Sequence, residues 1–129
     1  MKKLDKKSII GISALLVHAA NIDEIYSDHE KKLVKEFISS YLKDDDSDKI
    51  LKEAENIEKN SNQLLNYTNI IKQNSLEIKK DIIEHLWKII ISDNTVDQYE
   101  SNLMRRICGL IYFPDKESAE IKLKLVNLQ

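Results

Sequence analysis

The residues with the most chemistry to offer stand in two acidic segments: Asp23, Ser27 and Glu30 in one, Asp93, Asp97 and Glu100 in the other, each pair 70 positions apart. Glu24 and Asp28 add oxygens to the first segment and Asn94 adds one to the second. Carboxylate and amide oxygens are hard ligands of the kind that calcium, magnesium and manganese take. Asp23, Glu30, Asp93, Asp97 and Glu100 are therefore the candidate ligands of a divalent cation. The segments lack the Asp-x-Asp-x-Asp-Gly core of an EF-hand loop, and so few loop residues cannot wrap an ion fully. An ion held here is shared between the segments or keeps most of its water.

A structural reading uses the same side chains. Ser27-x-x-Glu30 and Asp97-x-x-Glu100 fit the capping box, in which the first residue accepts from a first-turn amide and the glutamate reaches back to the cap amide. Asp23 and Asp93 then satisfy loop amides between two helices. Cation binding and capping both remain open at this level.

No other group of residues competes. His85 follows Asp81 by one helical turn, a spacing that reads as a surface ion pair, and His18 and His29 stand alone. Cys108 falls 70 positions after Ile38, an apolar site, and reads as a buried thiol. Arg105 and Arg106, with Lys35 matching Arg105 in the first copy, read as helix-surface charges lacking the aromatic interleaving of a nucleic-acid platform. There is no Gly-rich phosphate loop, nucleophile elbow or His-Glu-x-x-His motif. These absences lead us to expect a protein that is not an enzyme, with no catalytic residues and no organic cofactor.

The elements that carry the acidic segments repeat with them. Ile12 and Ile82, Leu16 and Leu86, and Ala20 and Ile90 share the 70-residue offset, so an apolar helical stripe precedes each segment. After the segments, Leu33 and Phe37 match Leu103 and Ile107. Each copy reads as helix, acidic loop, helix: repeat one over 8–43 and repeat two over 78–113. Residues 44–76 read as inserted helices, the first of them polar and peripheral, and a C-terminal helix follows over 114–126 after Pro114. Ile78, Ile82, Leu86, Ile89 and Ile90 make the helix before the second segment the clearest element, and it is expected at the centre.

Composition agrees. With 2 Gly and 1 Pro in 129 residues, turns for an all-β fold are in short supply. The expected fold is all-α: one domain over 1–129, a bundle of about seven helices with pseudo-twofold symmetry between the repeats. Lys and Arg number 20 against 22 Asp and Glu, so no overall field draws nucleic acid. A single cysteine excludes an intramolecular disulfide and fits a reducing compartment. Lys2, Lys3, Lys6 and Lys7 before the run from Ile9 to Ala20 mimic a secretory leader. Because that run is half of a repeat, it is expected to be a core helix, and no apolar run is long enough to span a bilayer.

His85-Leu86-Trp87, then Ile91-Ser92-Asp93, Val96-Asp97-x-x-Glu100 and Leu103-Met104-Arg105-Arg106-Ile107, resemble the second half of the tellurite-resistance TerB family. Asp23, Tyr26 and Glu30 resemble the first half, and Leu64 to Thr68 the middle helix with its aromatic-Thr pair. The resemblance covers roughly 8–125. It implies a seven-helix pseudo-twofold bundle in the cytoplasm, with cation-binding acids falling on Asp23, Glu30, Asp93 and Glu100. Glu24 and Asn94 stand where the family has a loop glycine, which removes easy access to positive φ. The expected function is a non-enzymatic binding module that takes a divalent cation (Ca, Mg or Mn) and a protein partner in a stress- or membrane-associated complex. The alternative is an interaction domain with capped helices and no ion.

Overall fold

The computed structural model describes residues 5–21, 27–42, 47–60, 64–91 and 98–127. They form seven helices and no strands: α1 (Lys6–Ala20), α2 (Asp28–Tyr41), α3 (Ser47–Asn60), α4 (Leu64–Lys72), α5 (Leu76–Ile90), α6 (Gln98–Ile111) and α7 (Asp115–Asn127). The bounds of α1 and α5, and those of α2 and α6, differ by the 70 residues that separate the acidic segments. Two of these starts show a local cause. Asp5 accepts from the Ser8 amide at 2.7 Å and Ser75 from the Ile78 amide at 3.3 Å, so α1 and α5 open on capping side chains. At the far end of α6, Tyr112 adopts φ 60° and the Phe113 amide reaches back to the Cys108 carbonyl at 2.9 Å, a left-handed cap that satisfies an orphan acceptor.

The core runs along the apolar stripes. Ile9, Ile12, Leu15 and Leu16 of α1 and Ile82, Ile83 and Leu86 of α5 are fully buried, and the two helices pack on each other at the centre. Two groups of three helices form around them. In one, α1, α2 and α3 are in mutual contact; in the other, α5, α6 and α7 are. The helix read from sequence as peripheral thus completes the first group, with Ile50 and Ala54 fully buried. Its buried Leu51 and Ala54 share their three-residue spacing with Ser118 and Ile121 of α7. The groups differ in their closure: α2 packs on α5, whereas α4 lies between α1 and α6.

The α2–α5 seam is partly polar. Tyr41 donates its hydroxyl to Asp81 Oδ2 at 2.7 Å, and His85 Nδ1 lies 2.9 Å from the Asp81 carbonyl and 3.6 Å from its carboxylate. Phe37 closes the cluster, its ring 5.2 Å from that of His85 in an edge-on approach and 5.1 Å from that of Tyr41. His85 is therefore a buried seam residue and not the surface ion pair that its spacing suggested.

Burial, and then the hydrogen bond and charge of Asp81, hold the Tyr41 hydroxyl well above its ordinary pKa of 10.0. The unfolded chain loses this proton near pH 10 while the folded chain keeps it. The stabilisation is thus complete below pH 10 and is lost as pH rises toward the folded value. Urea unfolding between pH 9 and 11 should weaken more steeply for wild type than for Tyr41→Phe. Solvent screening of this half-buried group limits the excess to a few tenths of a kcal/mol per pH unit.

Candidate functional site

The first acidic segment is entered from α1 and left through α2. At the exit, the Ser27 amide donates to Glu30 Oε1 at 2.8 Å, the Ser27 hydroxyl donates to the same oxygen at 3.0 Å, and the Glu30 amide donates back to Ser27 Oγ at 3.2 Å. The expected capping box is thus formed. Glu30 is only 7% exposed, unusual for a carboxylate and sustained here by these hydrogen bonds. Asp28, in the same turn, is exposed. At the entry, His18 Nδ1 lies 3.3 Å from Glu58 Oε1 and Asn21 Nδ2 donates to Glu58 Oε2 at 3.1 Å, so α3 anchors the end of α1.

Of the five sequence-predicted ligands, Asp23, Asp93 and Asp97 lie outside the described residues. Glu100 lies in the first turn of α6, with its side chain outside the description. Glu30 is the fifth, committed through Oε1 to the start of α2. Among the described residues, no group of three or more His, Cys, Asp or Glu side chains converges on a metal position. The donor set that is described fits capping directly and supplies one carboxylate toward a cation.

Ser27→Ala removes one side of the box and should cost about 1 kcal/mol, the usual worth of an N-cap. Denaturant titration with and without divalent salt checks this, because a pure cap loses the same amount in both.

Two features of the second group were not legible as a site. Trp87 Nε1 donates to Ser118 Oγ at 2.9 Å, and Lys122 Nζ stands 5.2 Å from the Trp87 ring centroid. Cys108 is buried as expected, and burial pushes its thiol up against a smaller opposing effect of Ser118, which fits an inert side chain. Spacing alone cannot reveal the Trp87–Ser118 pair, because its partners are 31 residues apart on different helices. Arg105 and Arg106 are exposed, as read from sequence. Lys35 pairs instead with Asp48 across α2 and α3, and that lysine holds the Asp48 carboxyl below the usual carboxylate range. Among the described residues, no helix is long and apolar enough to cross a membrane.

Comparison with protein families adds one finding. The family model described as tellurite resistance protein TerB matches residues 10–123, most of the chain. No curated protein and no solved structure matches.

Proposed function

The chain belongs to the TerB family, and from that premise we propose that it is a non-enzymatic binding module whose two acidic segments hold a divalent cation weakly. Membership makes it a tellurite-resistance-related domain. The observation that carries the cation reading is the pairing of the acids with the helices. α1 and α5 pack together, and each leads, at the same 70-residue offset, into a segment closed by a first-turn glutamate, Glu30 or Glu100. Asp23, Asp93 and Asp97 complete the oxygen set. Calcium, magnesium or manganese would be bound mostly hydrated, at millimolar concentration, since Glu24 and Asn94 replace the family's loop glycine.

Cation binding is proposed to be coupled to a protein partner in a stress- or membrane-associated complex in the cytoplasm, in keeping with the resistance role in the family's description and a lone, buried cysteine. We also propose that 1–129 is one domain and that units 8–43 and 78–113 are related by an approximate twofold. Superposition of the two units, acidic segments included, tests the symmetry.

One observation favours the alternative, an interaction domain with capped helices and no ion. Glu30 Oε1 already receives two hydrogen bonds from Ser27. Amide NMR titration separates the readings. Under the cation reading, calcium and magnesium give saturable shifts, and manganese gives broadening, confined to residues 21–30 and 91–100. Spectra that do not saturate, or that shift evenly over the surface, leave the capping reading.

A further inference from the structure

We propose that the groove between α1, α3 and α4 binds the anion of a long-chain fatty acid, one molecule per chain. This site is separate from the acidic segments and stands without them. The groove encloses about 610 Å³, within the range of small-molecule sites. Its apolar walls are Ile10 of α1, Ile57 of α3, and Tyr67 and Ile70 of α4. Ile57 is left 39% exposed, apolar surface that an acyl chain would cover.

The charges sit where a headgroup would need them. Lys6 and Lys7, in the first turn of α1, line the groove one turn before Ile10; among the described residues neither forms a salt bridge, although the Asp5 carboxyl, held down chiefly by its hydrogen bonds with Ser8, also feels the Lys7 charge. Asp5 already caps that helix, so the lysines and not the helix amides meet the anion. Glu53 on the α3 side opposes a second negative charge, which selects a monoanionic carboxylate over a phosphate dianion. Cations confined to one turn beside an apolar remainder match a head and a tail. A peptide would leave its backbone amides without partners along Ile10, Ile57 and Ile70. Gly11 helps to set the width: a Cβ there would come within 2.5 Å of Ile70 Cδ1, so Gly11→Ala must displace the end of a side chain that lines the groove.

The test is calorimetric titration of the full chain with dodecanoate and tetradecanoate below their micellar concentrations. Saturable one-to-one binding is expected, tightening roughly tenfold for the two added carbons. Lys6→Gln with Lys7→Gln should weaken it at least threefold, Glu53→Gln should tighten it, and Gly11→Ala should weaken it. Lys6, Lys7 and Glu53 are all exposed, so unchanged melting temperatures are expected for their variants. Absence of saturable binding overturns the proposal. So does binding indifferent to the lysines, or association with phosphatidylglycerol vesicles without uptake of the monomeric acids.

Discussion

Deletion of residues 1–20 is expected to abolish cooperative unfolding altogether. α1 packs against α2, α3, α4 and α5, so its loss opens four helices at once. Ile9, Ile12, Leu15, Leu16 and Val17 are at most 1% exposed. Burying such side chains stabilises by about 1.5–3 kcal/mol each. Their sum is of the order of the whole stability of a small domain, about 5–15 kcal/mol. The remaining chain should show weak near-ultraviolet circular dichroism and a broad thermal trace. A sharp melting transition from the shortened chain would contradict the placement of α1 in the core. The point substitutions Ile12→Ala and Leu16→Ala should each cost about 2–5 kcal/mol, as large-to-small changes in packed cores do.

Phe37→Ala should be among the most damaging single substitutions, at about 3–5 kcal/mol. Phe37 is fully buried and its ring contacts those of Tyr41 and His85 at the α2–α5 seam. Truncation leaves a cavity between two helices and removes the apolar wall beside the Asp81 hydrogen bonds. Phe37→Leu keeps most of the volume and should recover more than half of the loss. Urea titration of the three proteins measures it, and a Phe37→Ala cost under about 1 kcal/mol would show that the seam relaxes around the gap.

The parts of the fold that the sequence announced are those with a strong periodic signal. The stripe through Ile78, Ile82, Leu86 and Ile90 placed α5, and the 70-residue offset placed α1, α2 and α6 from the same pattern. The burial of one side of α3 against α1 and α2 escaped because that helix carries no wide apolar stripe. Ile50, Leu51 and Ala54 are the buried residues of a helix half of whose residues are charged, and Ser118 and Ile121 those of the similarly polar α7. Burial there is decided by neighbouring helices, which periodicity does not encode. His85 was misread for the same reason: its one-turn spacing from Asp81 was correct, but Phe37 across the seam removes it from the surface.

The capping box at Ser27 and Glu30 was fully legible, since its chemistry is local. The acyl groove was not, because Lys6, Glu53 and Ile70 meet only after three helices pack. As for the acids themselves, local spacing cannot say whether Glu30 and Glu100 serve one ion together, since that depends on the approach of segments 70 residues apart.

The most direct test of the cation reading is the melting temperature against divalent metal, for wild type and for the Asp93→Asn/Glu100→Gln double variant. An ion bound only by the folded chain stabilises it by about 1.4 kcal/mol at ten times its dissociation constant. The wild-type melting temperature should therefore climb through the millimolar range of calcium, magnesium or manganese, and the double variant should stay flat. A wild-type melting temperature unmoved by millimolar concentrations of all three metals would contradict cation binding and leave Glu30 and Glu100 as helix caps.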